Sequence, residues 1–294
     1  MGLISLKFNA SGLLMVTHLG KQWKTELTDI VRGASGGFLF GIPLLYTMEV
    51  WWIGSYISPL RMLFALVFTF LIVFLLNQAA GFRNEDGVRS SDALEDTIEA
   101  LAIGLVCSGA TLILLREISF DVPLREALGK LIYESVPFTF GVALANQFLG
   151  KDQSRSGEPE SKKNATLSDI SATLIGSLVI AFNIAPTDEV PMLASAVTGG
   201  WLLAMIPASL FVSYCIVFAA GFTNQQQRYH HQGVFQRPTG ETIAAYLVSL
   251  FAAMLMLMFF QKLHFDDPWQ LWLRYTILLG LPATVGGAAG RLAV

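Results

Sequence analysis

An apolar run near the start of the chain contains the sequence Ile42-Pro43-Leu44-Leu45-Tyr46-Thr47-Met48-Glu49-Val50-Trp51-Trp52, which carries an acid. The pattern returns 140 positions later as Ile184-Ala185-Pro186-Thr187-Asp188-Glu189-Val190. The aligned pairs are Thr47 with Thr187 and Glu49 with Glu189. An acid inside a membrane helix costs free energy and therefore marks a candidate functional site. The same acid at matching places in both halves of the chain strengthens this interpretation.

The composition indicates a polytopic membrane protein. Of the 294 residues, 53% are hydrophobic and only 14% are charged, whereas a soluble domain carries about 25% charged residues. Basic residues do not cluster with interleaved aromatic residues, so we expect no nucleic-acid partner. Both cysteines, Cys107 and Cys215, lie in apolar runs and are interpreted as core residues. The expected partner is therefore the lipid bilayer.

Apolar segments near the length of a membrane-spanning helix follow one another along the chain. We place eight of them at about 33–56, 60–81, 98–115, 127–148, 170–187, 192–220, 242–261 and 270–290. A helix needs ~20 apolar residues to cross the hydrocarbon core. The expected fold class is an all-α membrane protein with about eight transmembrane helices.

The two halves of the chain also match outside the Thr-x-Glu motif. The sequence Ala79-Ala80-Gly81-Phe82 returns at the offset of 140, and a five-residue insertion then changes the offset to 145. Further aligned pairs are Gly36 with Gly176, Pro137 with Pro282, and Gly141 with Gly286. We interpret these matches as two four-helix repeats. Because each repeat has an even number of crossings, the repeats are parallel and are related by a pseudo-two-fold axis along the membrane normal.

This interpretation divides the chain into four parts. Residues 1–31 form a cytoplasmic or interfacial N-terminal segment, and residues 32–149 form the first four-helix repeat. Residues 150–168 are polar and charged, as is typical of a cytoplasmic linker, and residues 169–294 form the second repeat.

The distribution of basic residues predicts the orientation. One face holds 13 of the 19 Lys and Arg residues, including those of both termini, and the opposite face holds six. By the positive-inside rule both termini are cytoplasmic. We expect a multi-pass protein of the plasma or inner membrane.

The duplicated motif predicts a cation site in the outer half of the membrane. A straight first helix would carry Glu49 past the midplane, and the pseudo-two-fold axis would bring Glu189 to the same depth, facing it. Two carboxylates that share one opening can bind or select a cation. Because one divalent ion neutralises both charges, Ca²⁺ is the first candidate. Glu49 and Glu189 are the expected metal ligands, and the further candidate ligands are Thr47, Thr187 and Asp188.

Two alternatives stay open for this motif. An acid near a helix end can reach the lipid headgroups without any function. The threonine hydroxyls can coordinate a cation or can bond back to the preceding helical turn. Pro186 and Pro191 flank the second copy and predict that its helix breaks there.

Glu134 is the other deep acid, and its aligned position holds Leu279. Burial and nearby acids both favour the protonated form of a carboxyl group, so Glu134 is the candidate pH-modulating residue. The alternative is an ion pair with Lys130, one turn earlier on the same helix.

The remaining signals have ordinary interpretations. His230-His231 has no neighbouring ligands at metal-binding spacing and is interpreted as part of a loop. The glycines of residues 285–290 are expected to allow close helix packing. No nucleophile has a base at a suitable spacing, so we expect neither an enzyme nor an organic cofactor.

The sequence resembles a known family over most of its length from about residue 30. The features that carry the resemblance are the Gly-rich first helix, the run from Gly41 to Trp52, and the Ala-Ala-Gly-Phe that closes the second helix. They resemble a prokaryotic family of polytopic integral membrane proteins of unassigned function. The resemblance implies a bacterial plasma-membrane setting and no particular activity.

Two functions from different classes are compatible with these observations. The first is a membrane cation channel or transporter, selective for calcium and sensitive to pH, that uses the duplicated Thr-x-Glu site. The second is a non-transporting membrane scaffold or sensor that binds a partner through its cytoplasmic segments. The sequence leaves open whether the protein is a channel or an exchanger, and whether it forms a homo-oligomer.

Overall fold

The computed structural model of the protein describes residues 10–82, 90–145, 165–220 and 238–292, and every element in these ranges is helical. In chain order the helices are α1 (Ala10–Leu45), α2 (Met48–Tyr56), α3 (Pro59–Phe82), α4 (Ser90–Leu114), α5 (Leu124–Leu144), α6 (Ala165–Ile184), α7 (Glu189–Ala196), α8 (Gly199–Tyr214) with a following π-helical turn (Cys215–Ala219), α9 (Pro238–Phe259) and α10 (Trp269–Leu292). Most of the predicted linker and His230-His231 lie outside the described residues.

In the described ranges, four helical segments are long and apolar enough to cross a membrane. They are Pro59–Gln78, Ser91–Leu114, Gly199–Ala219 and Pro238–Phe259. Two bent helix pairs raise the number to six if each pair is one span. The prediction of eight spans is therefore not confirmed, whereas an all-helical protein with several apolar helices is.

The bent pairs lie where the Thr-x-Glu motifs occur. The axes of α1 and α2 differ by 84°, and those of α6 and α7 differ by 87°. The sequence predicted one continuous helix over 33–56, and this was wrong, because α1 ends at Leu45 and α2 starts at Met48. The depth predicted for Glu49 assumed a straight helix and has no basis in the bent one. The second break follows Ile184, as Pro186 predicted.

Each half of the described chain has one central helix. The first, α5, packs against α1, α2, α3 and α4, and the second, α10, packs against α6, α7, α8 and α9. A helix that is covered by other helices need not present apolar side chains on every face. The cover explains how α5 can retain four charged residues, which are Arg125, Glu126, Lys130 and Glu134. With these residues, α5 is not one of the four apolar spans.

Glycines bring the first helix of each half against the central helix. A Cβ atom on Gly36 would overlap the backbone of Gly141, and one on Gly176 would overlap the backbone of Gly286. These two pairs are the ones that the sequence offsets align. The interpretation of the later glycines as packing residues is confirmed.

The two halves contact each other through α1. This helix packs against α10 and against the π-helical turn that follows α8. At one end of this contact, Arg32 Nε donates a hydrogen bond to the Ala220 carbonyl at 3.0 Å. Buried residues from both halves form one continuous apolar core.

Candidate functional site

The candidate site consists of the two bends, which we call the elbows: residues 46–49, from the turn after α1 to the start of α2, and residues 185–189, from the turn after α6 to the start of α7. Both elbows close with the same local bonds. The Thr47 N–H donates to the Leu44 carbonyl at 3.0 Å, and the Thr187 N–H donates to the Ile184 carbonyl at 3.1 Å. Each threonine hydroxyl donates to that same carbonyl. The structure thus favours the interpretation in which the threonines bond back to the preceding turn.

Glu189 connects the second elbow to the first. Its side chain is buried, and Oε1 accepts a long hydrogen bond of 3.4 Å from the Met48 backbone N–H. Met48 is the first residue of α2, so its N–H has no partner within the helix. The positive end of the α2 dipole also favours a nearby carboxylate. Glu189 Oε2 is buried and has no hydrogen-bond partner among the described residues.

The side chain of Glu49 is exposed in the first turn of α2, next to Met48 in the chain. The sequence predicted two equivalent carboxylates, and in this respect the elbows differ. Glu189 turns towards the other half of the molecule, whereas Glu49 does not become buried. The structure brings Glu189 to the start of the helix that carries Glu49, but it places the two acids in unlike surroundings.

The neighbouring acid Asp188 is exposed and forms an ion pair with Lys262, at 2.8 Å between Oδ1 and Nζ. The lysine ammonium lowers the free energy of the charged carboxylate, so Asp188 already has a counter-ion. A cation that used Asp188 as a ligand would have to displace Lys262.

Glu134 is fully buried in α5, and neither of its carboxyl oxygens has a hydrogen-bond partner in the described part of the chain. The alternative of an ion pair with Lys130 is wrong. Lys130 Nζ lies 3.2 Å from Glu117 Oε2 and 3.0 Å from Glu126 Oε1. Because Lys130 points towards these two acids, it does not serve as the counter-ion of Glu134.

No preformed metal cage is found in the described ranges. Among these residues, no group of three or more His, Cys, Asp or Glu side chains could hold a metal ion. A cation at Glu189 would therefore need backbone carbonyls or water as its other ligands. Such ligands are compatible with Ca²⁺, which accepts oxygen from all of these sources.

Tyr46 is a residue of the first elbow whose role the sequence analysis missed. Its buried hydroxyl donates to the Leu278 carbonyl in α10 at 2.7 Å. Pro282 has no N–H, so this carbonyl lacks its usual partner within the helix. The proline was the available signal, because a proline inside a helix leaves a carbonyl four residues earlier for another donor.

Comparison with known protein families indicates a membrane protein, as the several apolar helices do. Residues 29–294 match the model of a family described as "Putative integral membrane protein (DUF2391)". The chain belongs to this family. The resemblance inferred from the sequence is therefore confirmed, and the protein is an integral membrane protein in contact with the lipid bilayer. Searches of the curated proteins and of the solved structures found no match.

Proposed function

We propose that the protein is a membrane cation channel or transporter whose site is formed by the two elbows. The observation that carries this proposal is the position of Glu189. Its carboxylate bridges to the first elbow at Met48 and keeps one buried oxygen without a partner among the described residues. A buried carboxylate oxygen without a donor is costly, and a bound cation would satisfy it.

Within this proposal the halves are two parallel four-helix repeats around a pseudo-two-fold axis along the membrane normal. The similar bends of 84° and 87° support it. So do the two matched glycine contacts, Gly36 with Gly141 and Gly176 with Gly286. If each bent pair, α5 and α10 all cross the membrane, the chain makes eight crossings.

The ends of α4 and α9 support the repeats independently. Arg116 and Gln261, which are 145 positions apart, both have a left-handed backbone, with φ of 65° and 57°. The following residues donate back to matching carbonyls, Glu117 to Leu112 at 2.9 Å and Lys262 to Leu257 at 2.8 Å. Both helix ends therefore have the pattern of a Schellman motif, at positions that the offset of 145 aligns.

Calcium is the ion that we propose first. Glu189 supplies a free carboxylate oxygen, and Glu49 lies next to Met48, to which Glu189 is bonded. The exposed Glu49 side chain would have to turn towards Glu189 to add a second carboxylate, and one Ca²⁺ would then neutralise both charges. We place the protein in the plasma or inner membrane with both termini cytoplasmic, because of the distribution of Lys and Arg.

The test is cation flux into vesicles that contain the purified protein. We expect Glu189→Gln and Glu49→Gln each to remove most of the Ca²⁺ flux, and the double variant to add little. Such non-additivity is expected of residues that act as one unit. Glu95→Gln is the matched control, because Glu95 is an exposed glutamate of α4 outside the elbows. Flux that follows the membrane potential would identify a channel, and flux that needs a counter-ion gradient would identify an exchanger.

Parent-like flux in both single variants would contradict the paired site. Background flux of folded parent protein for every common cation would instead favour a non-transporting scaffold or sensor. The ion pair between Asp188 and Lys262 and the exposure of Glu49 are the observations that favour this alternative. It would predict that cytoplasmic segments, and not the elbows, are needed in the cell.

A further inference from the structure

A second group of charged residues lies where α5 begins, and it does not include the elbow acids. We call it the Lys130 cluster, and its members are Glu117, Glu126, Lys130 and Glu134. The Lys130 ammonium donates a hydrogen bond to the Glu117 backbone carbonyl at 3.1 Å. It also forms ion pairs with the carboxylates of Glu117 and Glu126. It also lies 5.6 Å from the ring centroid of Trp51. Lys130 is thus held by two acids and an aromatic ring.

Glu134 is the member of the cluster without a partner. It lies one helical turn after Lys130, is completely buried, and has no hydrogen bond from the described residues to either carboxyl oxygen. The negative charge of Glu117 adds to the cost of ionising Glu134. An ionised carboxylate in such surroundings would be strongly disfavoured, so a bound proton is the simplest way to satisfy the site.

The exposure of the acids decreases from the surface towards Glu134. The side chain of Glu126 is 33% exposed and that of Glu117 is 12% exposed, whereas Glu134 is 0% exposed. The first two share the Lys130 ammonium, which lies one helical turn before Glu134. The cluster therefore offers a graded series of proton acceptors from the solvent to the core.

The second half of the chain supplies an internal comparison. At the offset of 145, Glu134 corresponds to Leu279, and the other members correspond to residues of different charge: Lys262, Leu271 and Tyr275. Leu279 is fully buried in the core. A leucine therefore fills the equivalent buried position in the second half. Packing alone does not explain why the first half has an acid there.

We propose that Glu134 is a proton-binding site that exchanges protons with solvent through Glu126 and Glu117. A proton that reaches the Glu134 carboxylate converts it to the neutral acid, and Lys130 stays with Glu117 and Glu126. When the proton leaves, Lys130 turns towards Glu134 and compensates the new charge. That this proton regulates or is exchanged for the cation rests on the proposed function, whereas proton binding itself does not.

The other described charged groups near α5 do not compensate Glu134. On α5 itself, Arg125 donates to the Ile57 carbonyl at 3.3 Å. Arg116, at the end of α4, lies over the Trp201 ring. Glu49 of α2 and Arg61 of α3 are exposed. The remaining charged side chains that the structure describes on α1 and α4 lie at the opposite ends of those helices: Lys24, Glu26, Asp29, Arg32, Asp92, Glu95, Asp96 and Glu99.

The test is a pH titration of the purified full chain in detergent, with infrared difference spectroscopy as the readout. Protonated carboxylic acids have their own C=O stretching band, which shifts in D₂O. We expect a band at neutral pH that is lost in both Glu134→Gln and Glu134→Leu, and is retained in Glu95→Gln. The leucine variant has the residue of the second half at this position, so we expect it to fold with an unchanged or higher Tm.

Two further variants test the exchange route, and their expected effects have opposite signs. Glu117→Gln removes a repelling charge and frees Lys130 for Glu134, so the midpoint of the band should move to lower pH. Lys130→Gln removes the cation one turn away, so the midpoint should move to higher pH. A band that survives Glu134→Leu, or a midpoint that neither variant moves, would overturn the proposal. Because the band is measured without flux, this outcome is separate from failure of the elbow site.

Discussion

The hydrogen bond from Tyr46 to the Leu278 carbonyl gives the sharpest stability prediction, because a proline leaves that carbonyl without a partner in its own helix. Tyr46→Phe removes the donor and keeps the ring. Tyr46 is only 1% exposed, so water cannot easily replace the hydroxyl. A buried acceptor that loses its donor costs about 1–3 kcal/mol, and hydrogen bonds between membrane helices average about 0.6 kcal/mol with a maximum near ~1.7 kcal/mol. We expect a loss of about 1–2 kcal/mol in the free energy of unfolding, near the overlap of the two ranges.

The assay is unfolding in mixed micelles, carried out as a double-mutant cycle with Pro282→Ala. The alanine of that variant has an N–H that can donate to the Leu278 carbonyl, so Tyr46→Phe should then cost less than about 0.5 kcal/mol. Tyr246→Phe is the matched control, because the Tyr246 hydroxyl is also buried but has no hydrogen-bond partner among the described residues. An equal cost for the two Tyr→Phe changes would refute the reasoning. So would a cost of Tyr46→Phe that does not change when Pro282 is replaced.

Two other changes test the packing and the backbone of the second half. Gly176→Ala should lower the free energy of unfolding by about 1–3 kcal/mol, because its Cβ would overlap the Gly286 backbone. Gly200→Ala has open space around its Cβ and is the control for the same assay; an equal loss in both would contradict the close approach. Gln261→Gly should raise the Tm, because Gln261 has a left-handed backbone with φ of 57°. Glycine would relieve a strain of about 1–2 kcal/mol. This gain exceeds the entropy cost of glycine, which is about 0.5–1 kcal/mol. An unchanged or lower Tm in that variant would show that the strain is absent.

Local patterns predicted the class of the protein and the places where its helices break or pack closely. The low charge and the long apolar runs predicted a membrane protein. Pro186 predicted the break after Ile184, because proline cannot continue the hydrogen bonds of a helix. The glycines of residues 285–290 predicted close packing, and Gly286 lies against Gly176 of an earlier helix. These features depend on residue type and on spacing along the chain, so they can be read from the sequence.

The surroundings of the acids depended on contacts between distant residues. Glu49 and Glu189 have the same local pattern, yet of the two only Glu189 is buried, and it bonds to Met48, which lies 141 residues earlier in the chain. Lys130 is one turn from Glu134 and nevertheless pairs with Glu117, which the turn between α4 and α5 brings within 3.2 Å of the lysine. Spacing along a helix shows which side chains are neighbours on that helix. It does not show which other helix covers them, and that cover decides which carboxylates keep water or a counter-ion and which are left in the core without either.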